Sequence, residues 1–153
     1  MSVETLLKKD NYTVDDLLEI MEILRGEGGC PWDREQDHKT IRNNFIEEVY
    51  EVIEGIDTEN DDIIKEELGD VLLQVVFHAR IAEEAGKYNI DGVADGICKK
   101  LILRHPHIFS DVKVNDSAQV LKNWDEIKKT EKSQKSVTDT LKGVSGSLPA
   151  LVR

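Results

Sequence analysis

The sequence has few of the features that mark secreted, membrane-spanning or nucleic-acid-binding proteins. Its two cysteines, Cys30 and Cys98, are far apart and form no metal-binding pattern, so we expect a reducing, cytoplasmic setting. No long apolar run is present to cross a membrane, and the first residues lack the apolar segment of a signal peptide. Acidic residues outnumber basic ones by 31 to 20, and the net charge of −11 excludes a broad basic surface for a nucleic-acid polymer.

Alternating strand patterns, internal repeats and low-complexity tracts are also missing, and helical periodicity dominates instead. A chain of 153 residues is long enough to bury one core. We therefore predict an all-α domain, a four- or five-helix bundle, over residues 1–130. Residues 131–153 shift to Lys, Ser, Thr and Gly, which is typical of a flexible tail or the start of an interdomain linker.

Helix boundaries can be placed from capping residues and helix breakers. Thr13 is expected to cap a first helix that ends at the glycines beginning with Gly26. Asp91 is expected to cap a later helix that Pro106 terminates. A last helix is predicted to begin at Asp116 or the serine that follows it.

The centre of the predicted fold is an antiparallel helical hairpin over residues 40–85. Two amphipathic stretches flank a short polar turn at residues 57–62, so the second helix should fold back on the first. The apolar positions of each helix form one stripe, and we expect both stripes to face the core. The two stripes are Ile41, Phe45, Val49, Val52 and Ile56, and Ile64, Leu68, Val71, Val75 and Ala82.

Acidic residues occur at matched positions on the two helices. Glu48 and Glu51 lie about 60° and 120° to one side of the first stripe, counting 100° per residue. Glu67 and Asp70 lie at the same angles from the second stripe and about as far from the turn. Because a two-fold axis relates antiparallel helices and preserves angular sense, we predict a cluster of these four carboxylates. Glu47 points toward the solvated face.

Four crowded carboxylates repel one another and raise one another's pKa values unless a cation neutralises them. An all-oxygen ligand set without cysteine or histidine suits a hard cation, Mg²⁺ or Mn²⁺. The alternative is an ordinary solvated acidic face, since 31 acidic residues occur in the chain. The matched angles and distances favour the metal site.

Four further residues, two tryptophans and two basic residues, each have two possible roles, and one histidine has a structural role. Trp32, on a Gly/Pro loop, either plugs the core or forms a wall of the site. Lys100 and Arg104 are one helical turn apart and form either a solvated edge or a phosphate-binding pair. Trp124 either packs partly in the core or stacks on a flat ring. His78 is expected to be a hydrogen-bonded core histidine, because no second histidine stands at ligand spacing.

Several motifs together resemble the MazG family of nucleoside triphosphate pyrophosphohydrolases. The blocks are GGCPWDREQ at residues 28–36, EEVYEV at 47–52, EELGDVLLQVVFHA at 66–79 and RHPHIF at 104–109. WDEIKK at 124–129 and SLPAL at 147–151 extend the resemblance toward the C-terminus. It implies an all-α fold and a metal-dependent reaction in which water attacks the α-phosphorus and NTP or dNTP gives NMP or dNMP and pyrophosphate.

The resemblance also implies roles for individual residues. The family's metal ligands correspond to the four acids that the helix angles select, and Glu47 or Glu51 would accept the proton of the attacking water. Lys100 and Arg104 would contact phosphates, and Trp124 would pack on the base. Asn44 takes a position near the substrate that is basic in some relatives.

Family members of this type usually continue past SLPAL into a second, related domain. This chain is therefore expected to be the N-terminal half of a tandem protein or a shortened member. A silent half or a regulatory helical interaction module is the alternative to an active enzyme. A di-iron carboxylate bundle is disfavoured because Asp70 stands where that class needs histidine. The broad apolar surface of the second hairpin helix predicts a homodimer.

Overall fold

The computed structural model describes residues 3–131, and this part of the chain forms eight helices and no strand. The prediction of an all-α fold is confirmed, and five of these helices have 12 residues or more. Their bounds are α1 Val3–Leu6, α2 Val14–Arg25, α3 Pro31–Glu35, α4 Arg42–Asp57, α5 Asp61–Glu84, α6 Ile90–Arg104, α7 Pro106–Phe109 and α8 Ser117–Glu131. None of them is long and apolar enough to span a lipid bilayer.

The described residues divide into two compact units, with the division between Val93 and Ala94. The first contains α1 to α5 and the start of α6, and the second contains the remainder of α6 with α7 and α8. The predicted domain boundary at residue 130 stays a prediction. The predicted tail and the SLPAL motif lie outside the described residues.

Helix α2 begins at the predicted cap. The Thr13 hydroxyl accepts a hydrogen bond from the Asp16 backbone N–H, and the Asp16 carboxylate accepts one from the Thr13 backbone N–H at 2.8 Å. This reciprocal pair satisfies two backbone donors that a helix start otherwise leaves unpaired. Lys9 forms an ion pair with the same carboxylate, which allows Asp16 to be buried. The cap therefore ties the start of α2 to the preceding segment.

The connector between α2 and the hairpin contains the short helix α3 at residues 31–35, with Pro31 at its first position. Arg25 anchors it by donating hydrogen bonds to the backbone carbonyls of Asp33 and Gln36. The same guanidinium pairs with Glu84 on α5 at 2.7 Å. Trp32 is 57% exposed, so the expectation that it plugs the core is wrong.

Helices α4 and α5 form the predicted antiparallel hairpin. Asn60 caps α5 by accepting hydrogen bonds from the Asp62 and Ile63 backbone N–H groups. Glu59, in the turn, has a left-handed backbone with φ of 51°. Gly55 is buried at a close approach of the two helices, because a Cβ atom there would lie 3.0 Å from the Ile64 backbone nitrogen. The turn and the glycine together set the register of the hairpin.

The inward face of α4 differs from the predicted stripe. Val49 and Ile56 are 41% and 55% exposed, so their predicted place in the core is wrong. The buried or half-buried positions are Ile41, Phe45, Glu48, Glu51, Val52 and Gly55. The centre of this face lies about 50° from the predicted stripe, toward Glu48. Gly55 explains the rotation, because its missing side chain lets α5 pack on the side that carries the acids.

Helix α5 is the central element of the first unit. It packs against α4 and α2. Its buried positions include Val76 and Phe77, which the sequence placed outside the inner stripe, whereas Leu68 of that stripe is exposed. Val76 and Phe77 contribute to a core with Met21 and Ile41, because the C-terminal half of α5 meets α2 as well as α4. The apolar breadth of this helix therefore serves two helix interfaces.

The boundaries of α6 and α8 are close to those predicted. Helix α6 begins at Ile90, just before the expected cap, and the Asn89 side chain accepts a hydrogen bond from the Gly92 backbone N–H. It ends at Arg104, before Pro106. At the start of α8, the Asp116 carboxylate accepts a hydrogen bond from the Gln119 backbone N–H at 2.8 Å.

Candidate metal centre and active site

Carboxylates from both helices of the hairpin meet at one place. Glu48 of α4 and Glu67 and Asp70 of α5 each offer an oxygen atom, and these atoms lie within 4.8 Å of one another. All three side chains are half-buried, as is Glu51. Glu51 interacts electrostatically with both Glu48 and Glu67. The four acids selected from the sequence are therefore brought together.

The cluster disfavours its own ionised state. Burial raises the pKa of Glu48, and the charge of Asp70, a hydrogen bond with Glu51 and the charges of Glu51 and Glu67 raise it further. Burial likewise raises the pKa of Glu67, with the charges of Glu51, Asp70 and Glu66 adding to the effect. Like charges a few ångströms apart in a partly dehydrated site produce shifts of this direction. A cation placed among these oxygens would lower the pKa values of Glu48 and Glu67 again.

The donor set fits a hard divalent cation. Every candidate ligand is a carboxylate oxygen, and the spacing of the three grouped oxygens lets one ion contact them together. The partial exposure of the cluster leaves coordination positions for water or for phosphate oxygens. Such an open site is typical of catalytic rather than structural metal centres.

Two predicted site residues of α4 lie outside this group. Glu47 is exposed, as its position on the solvated face predicted. Asn44 is also exposed, about one turn before Glu48. Trp32, in the connector, is accessible to a ligand, so its role as a wall of the site stays a prediction.

The remaining predicted residues belong to the second unit. Arg104 pairs with Glu131 at 2.6 Å, and its guanidinium carbon lies 5.4 Å from the centre of the Trp124 ring. The His105 ring meets the half-buried Trp124 edge-on, with 4.9 Å between ring centres. Lys100 is exposed. The predicted pairing of Arg104 and Lys100 with phosphates would require Arg104 to exchange Glu131 for a ligand.

A pair of histidines forms a feature that the sequence did not reveal. The Nδ1 atoms of His38 and His78 are 2.8 Å apart, and the rings are stacked with centres 5.1 Å apart. The Phe45 ring lies 5.7 Å from the His78 ring. His78 is hydrogen-bonded, as predicted, and its partner is a second histidine that does not stand at ligand spacing in the sequence. Forty residues separate the two, so no local pattern signals the pair.

Comparison with known proteins shows which family this fold belongs to. Residues 36–109, which include both hairpin helices, match the family model described as MazG nucleotide pyrophosphohydrolase domain. A Thermotoga maritima protein named nucleoside triphosphate pyrophosphohydrolase/pyrophosphatase MazG is 46% identical over 95% of this chain and 55% of its own length. The Escherichia coli K12 protein named nucleoside triphosphate pyrophosphohydrolase is 45% identical over 92% and 54%. The chain belongs to the MazG family.

Two other relatives extend this picture. The MazG chain is 52% identical to an uncharacterized Bacillus subtilis protein, YabN, over 86% of this chain and 27% of that one. The crystal structure of a mazG-related protein from Thermotoga maritima covers 75% of this chain and 98% of its own, with a TM-score of 0.63 and 27% identity. The chain spans about half the length of the two named pyrophosphohydrolases.

Proposed function

We propose that this MazG chain hydrolyses nucleoside triphosphates, converting NTP or dNTP and water to NMP or dNMP and pyrophosphate. The observation that carries the proposal is the meeting of Glu48, Glu67 and Asp70 across the α4–α5 hairpin. This cluster lies inside the region that matches the family model. The names of the Thermotoga maritima and Escherichia coli relatives support the same reaction.

Glu48, Glu51, Glu67 and Asp70 would hold Mg²⁺, with Mn²⁺ as the second choice. When bound, the cation supplies charge neutralisation for the phosphates and lowers the pKa of a water molecule. The carboxylates come from two helices whose register is set by Gly55 and the turn, so this register determines where the proposed ligands stand.

The acid that accepts the proton of the attacking water is chosen by its distance from the cluster. Both Glu47 and Glu51 are candidates for the base that accepts the proton of the attacking water. Glu51 is half-buried and interacts with Glu48 and Glu67, whereas Glu47 is exposed. We therefore favour Glu51, because a general base must lie within hydrogen-bonding reach of the water that it deprotonates.

The family resemblance suggests roles for the remaining predicted residues. Lys100 and Arg104 would neutralise the departing pyrophosphate, and Trp124 would pack on the base. Asn44 and Trp32 would line the approach to the cluster, consistent with their exposure. Arg104 and Trp124 already contact each other, so binding of a nucleotide by both would require this contact to open.

A homodimer is the proposed assembly, in a cytoplasmic setting. Large apolar side chains on the outer side of α4 are exposed, among them Val49, Tyr50 and Ile53. A second copy of the chain would remove this surface from water. The free thiols of Cys30 and Cys98 are consistent with a reducing compartment.

Product analysis tests the proposal. The purified chain is incubated with each NTP and dNTP in Mg²⁺ or in EDTA, and nucleotide and phosphate products are separated. Monophosphate and pyrophosphate, formed only with metal, are expected. Diphosphate and orthophosphate would contradict α–β cleavage. No turnover by the folded chain would instead favour the silent half or the regulatory module.

A further inference from the structure

A polar stripe on α5 continues beyond the acid cluster. Glu67, Asp70, Gln74 and His78 follow one another at steps of three, four and four residues, which keeps them within a strip about 80° wide. Glu67 and Asp70 meet Glu48 of α4, and His78 contacts Phe45 of α4. Gln74 lies between these two contacts, so it also faces the α4 side of the hairpin.

Gln74 is unusual among the residues of this stripe because it is only 7% exposed. Its side-chain oxygen is buried and accepts no hydrogen bond from any described residue. A buried amide oxygen without a donor is unfavourable, and native proteins rarely retain one unless a ligand or water completes it. The amide carries an acceptor and donors side by side, which matches the hydrogen-bonding edge of a nucleobase.

Aromatic rings continue the stripe beyond Gln74. His78 lies one turn further along α5, with the rings of His38 and Phe45 around it. Burial and the charge of His38 lower the pKa of His78, which favours the uncharged form of the His78 ring near neutral pH. Uncharged aromatic faces stack on any base. Along the helix axis His78 is about 12 Å from Asp70, comparable to the extent of a nucleoside.

We propose that Gln74 is a specificity-determining residue that reads the base edge of the nucleotide whose phosphates occupy the acid cluster. The inference rests on the proposed function. It assigns base selection to a residue of α5 that lies between the carboxylates and the histidine pair.

The test compares wild type, Gln74→Leu and Gln74→Asn across the four NTPs and four dNTPs, measuring kcat/KM for pyrophosphate release with Mg²⁺. Gln119→Leu on α8 makes the same chemical change at an exposed position and serves as the matched control. In Gln74→Leu we expect the ratio between best and worst base to fall at least about tenfold, with the control unchanged. Far-UV circular dichroism and thermal unfolding establish that each variant folds. Gln74→Asn keeps the amide on a side chain that is one methylene shorter, so it should also change the ranking of the bases.

Four outcomes would overturn the inference. They are a wild type that cleaves all bases equally well, an unchanged base ranking in both folded Gln74 variants, an equal loss for every nucleotide, and a change confined to the ratio of ribose to deoxyribose substrates. In each of these cases the wild type still releases pyrophosphate, so the proposed function stands. Failure of the wild type to release pyrophosphate from any nucleotide would instead remove the proposed function, and the inference with it.

Discussion

The Nδ1 atoms of His38 and His78 lie 2.8 Å apart, within hydrogen-bonding distance, which joins the connector before α4 to α5. One ring nitrogen must accept while the other donates, so protonation of both rings breaks the hydrogen bond. Burial and the charge of His38 hold the pKa of His78 below its ordinary value. The stability of the fold is therefore expected to depend on pH through this pair.

The first prediction concerns this linkage. Because the pKa of His78 is lower in the folded chain than in the unfolded chain, the unfolded state binds more protons as pH falls below about 6.5. The contribution of His78 to the free energy of unfolding should therefore decrease from pH 7.5 to 5.5. Urea unfolding of wild type and His78→Gln isolates this contribution, because glutamine can bond to His38 without titrating. Equal pH slopes for both proteins would contradict the role of the pair.

The second prediction concerns the carboxylates. Glu67→Gln and Asp70→Asn remove one charged oxygen ligand each and should lower metal-dependent pyrophosphate release by about a hundredfold or more. Glu54→Gln, on the exposed side of α4, is the matched control and should retain activity. Circular dichroism should report an unchanged helical fold in all three. Full activity of both site variants would exclude the cluster as the active centre.

The third prediction separates stability from metal binding. Since the pKa values of Glu48 and Glu67 are raised in the fold, their ionisation destabilises the metal-free protein above about pH 4.3, and stability falls as pH rises through the shifted range. In EDTA at pH 7.5, Glu67→Gln should therefore have a higher Tm than wild type. Mg²⁺ at a hundred times its Kd should stabilise wild type by about 2.7 kcal/mol and the variant less. The reverse order in EDTA would contradict the repulsion.

The fourth prediction uses the turn of the hairpin. Glu59 has a left-handed backbone, which an L-residue other than glycine adopts at a cost of about 1 kcal/mol. Glu59→Gly should raise the free energy of unfolding by about 0.5 kcal/mol, after the greater freedom of glycine in the unfolded chain is subtracted. Glu54→Gly, in the interior of α4, should lower it by about 1 kcal/mol. Chemical denaturation of both variants measures the contrast.

Several elements of this structure followed from the sequence because local rules govern them. The Thr13 cap, the end of α6 before Pro106 and the hairpin are encoded by residues close together in the chain. The meeting of Glu48 with Glu67 and Asp70 was also predicted, because helix periodicity and distance from the turn can both be counted in the sequence. These features needed no knowledge of distant contacts.

Other elements depend on contacts that no local pattern records. The direction in which α4 faces inward follows from the absence of a side chain at Gly55, which a count of apolar residues does not register. The ordering of α3 depends on the Arg25 guanidinium, which reaches its backbone carbonyls from the end of α2. The partnership of His38 with His78 crosses 40 residues of chain. None of these three features could be predicted without the tertiary structure.

Gly55 gives the acid cluster an unexpected vulnerability. A methyl group added there would lie 3.0 Å from the Ile64 backbone nitrogen and from the side chains of Ile63 and Ile64, so the start of α5 would have to move outward by tenths of an ångström. Glu67 stands one turn beyond that contact and would move with it. Alanine, ordinarily the mildest of replacements in a helix, would here act on cation affinity although it changes no ligand. Damage to the site could thus arise through an apolar residue that a search for charged groups would pass over.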